Sequence, residues 1–344
     1  MVRLKDIAVR ANVSVMTVSK ALRDEPDVSE ATKGRIKSLA QQMGYVPDSS
    51  AQGLRTRTTK LLGLLIPSTT DPNTARLTLA IEERAHDLGY DLLLMHTLNT
   101  IEREEYCIRR MLARRVDGIF IAPVYRIEPE ARIYKELAAQ QTRVVLLGPS
   151  APFCNQFPSV QVDDILASFA ATQHLLKLGH KRVAFLSGPL AAPWAQARFE
   201  GYRRALREAG MDVDDSMVFQ AGSTTEDGVK AASQFLDESC KATAVQAVND
   251  LVAIGFANTL LDQGVRIPGD ISLVGFGNSI TSEYFRVPMS TVRQPKFRLG
   301  LAAVEMMAQM LRGQRAETRR LSTELIVRAS SAEPAHMPQA TAQT

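Results

Sequence analysis

The stretch LKDIAVRANVSVMTVSKAL, residues 4–22, decides how the rest of the chain is read. In its first half Ile7, Ala8 and Ala11 recur at three- and four-residue spacing, which gives a short helix over 4–11 one apolar face. Asp6 falls in the first turn, where a negative charge suits the helix dipole. Asn12-Val13-Ser14 then interrupts the pattern. Ser14 is suited to cap a second helix over 15–22, whose inward stripe is Val18, Ala21 and Leu22. Ala8 and Val13 have the size that a tight corner between two helices demands. A third helix is expected after Ser29 as far as Met43, with Ile36, Leu39, Ala40 and Met43 inward and Gly44 closing it. Three short helices with a three-residue turn between the first two make a helix-turn-helix plan. In that plan the second helix lies in the major groove and its early side chains meet base edges. Val15 and Met16 open that helix and point away from its apolar stripe, with Lys20 one turn on; thymine methyl groups give exposed apolar side chains a partner there. Thr17 and Ser19 are placed to reach phosphate oxygens. A three-helix module that binds protein has the same outline.

Charge separates the two. Residues 1–60 hold 11 Lys and Arg against 6 Asp and Glu, whereas residues 61–344 hold 30 against 31. The excess behind the formal net charge of +4 therefore sits in the head. A small basic module on a neutral body suits a polyanion, most often nucleic acid, although a solvated basic arm has the same composition.

The 344 residues suggest two or three domains at roughly 150 residues each. With 45% apolar and 23% charged residues, wholesale disorder, a collagen repeat and a disulfide scaffold are excluded. Cys107, Cys154 and Cys240 show no C-x-x-C spacing, which argues against a disulfide framework or a zinc site and fits a reducing compartment. The N-terminus has no long apolar run, and no stretch approaches a membrane span. A cytoplasmic protein without a membrane partner is expected.

From residue 61 onward, short apolar runs alternate with amphipathic segments. Strands are expected at 61–67, 91–97, 118–123, 143–148, 160–163, 182–188, 217–221, 244–248 and 271–276, with a last one at 323–330. Helices are expected at 76–88, 102–114, 166–178, 198–209, 225–239, 251–263 and 297–311. The alternation implies βαβ units and parallel sheets, and a second series beginning near Val160 implies two similar, doubly wound lobes. Ligands of such sheets bind beyond the carboxyl ends of the strands. Those ends carry 67–70, 122–125, Asp163-Asp164, 187–188, Asn249-Asp250 and 276–278, a polar set suited to a polyhydroxylated small molecule.

Signatures of catalysis are missing. There is no G-x-S-x-G, H-E-x-x-H or Walker loop, and Gly275-Phe276-Gly277 begins a dinucleotide fingerprint that Ile280 breaks. The five histidines lack metal-ligand spacing. His174 and His180 sit at a helix end, where a positive charge suits the dipole. Asp163 and Asp164, if adjacent on a strand, point to opposite faces and share no proton. No enzyme activity, cofactor or metal is expected.

Longer motifs add to this reading. The opening stretch, then VSEATKGRIKSLAQQMGYVPDSSAQGLRT (28–56), GHKRVAFLSGP (179–189), ARFEGYRRAL (197–206), VNDLVAIGF (248–256), IPGDISLVGFGN (267–278) and MSTVRQPKFRLG (289–300) resemble the lactose-repressor/galactose-repressor (LacI/GalR) family of bacterial transcription regulators, in order and spacing, to about residue 331. The resemblance implies an α/β fold: an all-α helix-turn-helix domain at 1–47, a hinge helix and linker at 48–60, and a two-lobed, periplasmic-binding-protein-like core. One lobe would comprise 61–161 and 291–320, the other 162–290 and 321–331, with crossings near 161, 291 and 321 that lack regular structure. MSTVRQP would form the second crossing. Residues 332–344 carry no leucine heptads and are expected to be a disordered tail, so a homodimer is expected.

The same resemblance puts base reading on Val15, Met16 and Lys20. It makes Leu54, supported by Ala51, a wedge for the minor groove; an ordinary core leucine is the other reading. Arg3 stands in place of a capping Thr, and Asp48 in place of Asn. Gly53 costs the hinge helix roughly 1 kcal/mol relative to Ala, which implies a hinge unfolded without DNA. Effector gripping falls on Arg198, whose other reading is a helix-surface ion pair, and on Asn249 and Asp250. Trp194 either stacks on that arginine or simply packs, and Tyr125 and Asp71 join the cleft. The family's frequent GFDD is GFGN here, so Gly277 replaces a carboxylate beside Asn278 and leaves room for a larger or more acidic ligand. Asn73-Thr74 replaces an aromatic pair. The function implied is a repressor of carbohydrate or related catabolic genes. It binds palindromic operator DNA as a dimer and responds to an effector, a sugar or sugar acid. A free solute-binding protein and an α/β enzyme on sugar or nucleotide phosphates are the competing classes.

Overall fold

The structure, a computed structural model, describes residues 2–46, 58–238 and 240–335. The proposed hinge helix, with Ala51 and Leu54, lies outside the described residues. The chain forms two compact units, 1–59 and 60–344.

The first unit holds α1 (Leu4–Ala11), α2 (Val15–Leu22) and α3 (Glu30–Gln42). Ile7, Ala8 and Ala11 of α1, Val18 and Ala21 of α2, and Ile36 and Ala40 of α3 are buried in one small core. Asn12 closes α1 in the left-handed region at φ 51°. Arg3 supplies no side-chain cap to α1, but Asp6 accepts a 2.8 Å hydrogen bond from its backbone N–H. Gly44, at φ 67°, turns the chain out of α3.

The second unit is two doubly wound lobes. The first sheet contains β1 (Leu61–Ile66), β2 (Asp91–His96), β3 (Gly118–Ile121), β4 (Val144–Leu147), β5 (Ser159–Val162) and β11 (Arg319–Leu321), in the spatial order β11-β5-β4-β3-β1-β2. Its helices are α4 (Pro72–Asp87), α5 (Ile101–Ala113), α6 (Arg132–Ala139) and α12 (Lys296–Leu311). The second sheet contains β6 (Val183–Ser187), β7 (Val218–Gln220), β8 (Ala244–Ala247), β9 (Ser272–Gly277), β10 (Ser290–Arg293) and β12 (Glu324–Ile326), ordered β12-β10-β9-β8-β6-β7. Around it lie α7 (Asp164–Lys177), α8 (Pro193–Glu208), α9 (Thr225–Asp237), α10 (Asp250–Asp262) and the short α11 (Ile280–Glu283). Every pairing is parallel except β10 with β12.

Strand side chains alternate between faces, and the core divides accordingly. Leu62, Leu64 and Ile66 of β1 face α4 and α12, where Leu77, Ile81, Leu299 and Met307 meet them. Leu65, with Ile119 and Ile121 of β3, faces α5 and α6, packing on Ile108, Met111 and Leu137. The second sheet divides the same way: Ala184 and Leu186 lie in one layer, Val183 and Phe185 in the other. Burial on both faces is why these strands read as unbroken apolar runs. Two glycines let helices touch. A Cβ on Gly201 of α8 would stand 2.8 Å from the backbone nitrogen of Phe169 in α7, and one on Gly300 of α12 would stand 2.8 Å from the Leu77 carbonyl of α4.

Several expectations change. Residues 290–293, read as an irregular crossing, form β10: the β-branched Thr291 and Val292 fit between β9 and the antiparallel β12. The crossings thus follow Val162, Arg293 and Leu321. Three further elements, β11, α6 and the short α11, go beyond what the sequence leads one to expect. The start of the tail is docked rather than free: the Ala332 N–H donates to Ser272 Oγ at 3.0 Å, and its carbonyl lies 2.8 Å from His180 Nε2. His180 is buried, and burial lowers both its pKa and that of His174, which works against the positive charge expected at that helix end.

Candidate DNA-reading helix and inter-lobe cleft

In the first unit, Ser14 caps α2 by accepting a 3.0 Å hydrogen bond from the Thr17 N–H. With the inward stripe buried, Val15 and Met16 are 45% and 64% exposed on the same first turn. Two exposed apolar side chains at a capped helix start have no core to fill. Thr17 Oγ1 lies 2.9 Å from Ser14 Oγ, so its hydroxyl is shared with the cap. Ser19 is partly exposed. Lys20 is ion-paired with Asp27, whose carboxyl is held low by that hydrogen bond. A base contact from Lys20 requires that pair to open. Arg35 donates to the Ala11 carbonyl at 3.1 Å and fastens the corner to α3, a role the spacing alone did not reveal.

In the second unit, a cavity of about 580 Å³ lies at the carboxyl ends of strands from both sheets. Asp71, Tyr125, Trp194, Arg198, Asn249 and Asp250 all line it. Its position matches the crevice where doubly wound sheets receive ligands.

Arg198 is buried in the wall. Its Nε donates to Asp164 Oδ1 at 2.8 Å and its Nη1 to the Val248 carbonyl at 2.7 Å. The guanidinium carbon lies 3.6 Å from the Phe276 ring centroid and 4.8 Å from that of Trp194. It is thus an internal ion pair packed near two aromatic rings, not a helix-surface pair. Asp163 and Asp164 are not strand neighbours. Asp163 caps α7 by accepting from the Leu166 N–H at 3.0 Å, while Asp164 begins the helix and turns to Arg198. The sequence places Asp164 among the strand-end cleft residues; its pairing with Arg198 is what the spacing does not reveal.

The other predicted groups are largely committed. Asn249 caps α10, its Oδ1 accepting from Val252 N–H at 2.8 Å, and its amide donates to the Ser223 carbonyl at 2.9 Å. Asp250 accepts from Thr291 Oγ1 at 2.6 Å and from the Ser279 N–H at 2.7 Å; burial pushes its carboxyl up, and these bonds oppose the shift. Asp71 caps α4, accepting from the Asn73 N–H and from Thr74 Oγ1, both at 3.0 Å. The Tyr125 hydroxyl donates to the Pro149 carbonyl at 2.7 Å.

Gly277 and Asn278 are not brought into the lining. Asn278 Oδ1 accepts from Arg328 at 2.9 Å, away from the cavity wall. Nor does Gly277 leave an open space. It sits at φ 140°, and a Cβ built there would stand 2.6 Å from Asn73 Nδ2 and 3.3 Å from Asp250 Oδ2. The room left by the missing carboxylate is filled by Asn73, reaching across from α4 of the other lobe. Lys296, at the start of α12, also lines the cavity and was not anticipated. Burial draws its pKa down, opposed by the nearby Asp71.

A helix-turn-helix head joined to a bilobal core with a polar inter-lobe cleft defines a class of protein, the ligand-responsive DNA-binding regulators. Residues 3–48 match the family described as bacterial regulatory proteins, lacI family, and residues 59–329 match periplasmic binding proteins and sugar binding domain of LacI family. The chain belongs to the LacI family. It is 30% identical over 330 residues to the transcriptional repressor CytR of Escherichia coli K12, covering 95% of this chain and 96% of that one. It is 29% identical over 335 residues to the repressor PurR of Photobacterium profundum, covering 96% and 98%. A lac repressor dimer bound to operator and the anti-inducer ONPF superposes with a TM-score of 0.86 at 26% identity, covering 96% of this chain and 99% of that one. A complex of the regulator CelR with cellobiose superposes with a TM-score of 0.73 at 28% identity, covering 96% and 100%.

Proposed function

We propose that the protein is a transcriptional repressor of carbohydrate or related catabolic genes that binds a palindromic operator as a homodimer. A sugar or sugar acid in the inter-lobe cleft changes its operator affinity. The observation that carries this reading is the pair Val15 and Met16, exposed on the capped first turn of α2, where a helix-turn-helix presents its base-reading side chains. Thr17 and Ser19 then serve phosphates, and Lys20 reads a base after leaving Asp27. Residues 48–60 serve as the hinge, with Leu54 the minor-groove wedge and Ala51 its support.

Effector recognition falls on Arg198, Trp194 and Tyr125, with Asp71, Asn249 and Asp250 shaping the wall. Movement of the lobes about the three crossings transmits the effect to the hinge, a coupling typically of about 1–3 kcal/mol. The lac repressor and CelR complexes, one on operator and one with a sugar, support this pairing of ligands by family likeness. A subunit contact is suited by Leu79, Leu94 and Leu98, exposed apolar residues on or beside the edge strand β2. Such a protein works in the cytoplasm, on the nucleoid when operator-bound. Commitment of the cleft carboxylates to internal partners favours a binding role over an enzymatic one.

The test is selection of duplexes from a random pool by the purified protein, with and without a mixed sugar panel. An enriched palindrome is expected in one condition and not the other. Enrichment of no sequence in either would overturn the reading.

A further inference from the structure

Each carboxylate that lines the cleft is engaged within the protein: Asp164 by Arg198, Asp250 by Thr291 and Ser279, and Asp71 by Asn73 and Thr74. Lys296 differs. It lines the same cavity, yet its ammonium has no hydrogen bond and no carboxylate within the 4.0 Å of an ion pair among the described residues. Asp71 and Asp164 attract it from beyond that distance, and Arg198 repels it. Two cations thus converge on one cavity, one locked by its neighbours and one open. A partly buried ammonium without a partner is costly to hold, and a ligand anion relieves that cost where a hydroxyl does so only weakly. The lobe opposite adds to the imbalance. Asn73 fills the space beside Gly277 with an amide that makes no side-chain hydrogen bond of its own among the described residues, and the neighbouring Asp250 carboxylate is already held by Thr291 and Ser279.

We infer that the effector carries an anionic group, carboxylate or phosphate, and that Lys296 is the residue that selects it, with Arg198 beside it. This rests on the reading of the cleft as the effector site and deepens it by assigning the chemical class. Lysine acts as a point charge on a flexible stem and accommodates either anion, so the two must be told apart by measurement.

The experiment is calorimetric titration of the full-length protein with matched probes: D-glucose, D-ribose and D-galactose, each beside its aldonate and its terminal phosphate, with inorganic phosphate alone as a further arm. The tightest ligand is expected to be an anionic member, about tenfold or more tighter than its neutral parent. Whether the aldonate or the phosphate leads identifies the group. Lys296→Met is expected to remove that preference, and Lys296→Arg to restore most of it. A neutral sugar as tightest ligand, no binding by any anionic probe, or an unchanged anion preference in Lys296→Met overturns the assignment. The duplex selection described above fails independently: a protein that enriches a palindrome but prefers a neutral sugar loses only the anion assignment.

Discussion

Arg198 commits two nitrogens to hydrogen bonds within its own protein and lies close to two aromatic rings, so substituting it tests two things at once. Arg198→Ala leaves Asp164 buried and unpaired, which typically costs about 3–5 kcal/mol. We expect both a lowered melting temperature and loss of the effector response. The double variant Asp164→Leu/Arg198→Leu removes the stranded charge. It is expected to regain most of the stability, read by thermal denaturation, but not the response, read by operator release. Gly277→Asp introduces a side chain where Asn73 now lies, at a backbone angle side chains rarely adopt. A loss of about 1–3 kcal/mol is expected, with Asn73→Ala relieving part of it. Both residues of this pair were visible in the sequence as departures from a family pattern. Their contact was not, because it joins positions about two hundred residues apart. Lys296 was hidden for another reason: a charged residue at a helix start looks like a solvated cap until the opposite lobe is in place.

At the level of single elements, α2 depends on its cap. Ser14→Ala is expected to destabilise the head by about 1 kcal/mol, seen as faster amide exchange over residues 15–22 in the full chain, and to weaken operator binding. The long apolar strands were legible because burial on both faces leaves an unbroken hydrophobic run. By contrast, β10 and β11 are short and polar, and owe their strand form to the neighbours they pair with rather than to a pattern of their own. The C-terminal end of α7 carries a pH dependence. His174 lies 2.9 Å from Ser331 Oγ, and His180 contacts Thr243 and Ala332. Burial depresses both imidazoles below their ordinary value of 6.5. The folded state then binds fewer protons than the unfolded one. Its stability is complete above about pH 6.5 and is lost as pH falls through the depressed folded values. A melting temperature that declines below about pH 6.5, with a shallower decline in His174→Gln/His180→Gln, is the expected result.

For the molecule as a whole, the charge division sets the DNA affinity. Operator binding is expected to weaken steeply with salt, in proportion to the phosphates neutralised by the basic head, while neutral-sugar affinity changes little. Titrations across a salt series check this. The alternation of strands and helices made two doubly wound lobes legible, and the charge split made the separate head legible. Where the chain changes lobes was less so, since a strand and a crossing of similar composition look alike. The placement of α12 has a bearing on how the protein is made. The first sheet needs Leu299 and Met307 to cover one face and β11 to complete its edge, yet these leave the ribosome only after the whole second sheet up to β10 has emerged. The lobe that is synthesised first is therefore finished only after most of the second has been made, with β12 of the second sheet following directly on β11. A nascent chain paused before α12 presents β1 and α4 with a bare apolar flank, the kind of surface that chaperones hold until translation resumes.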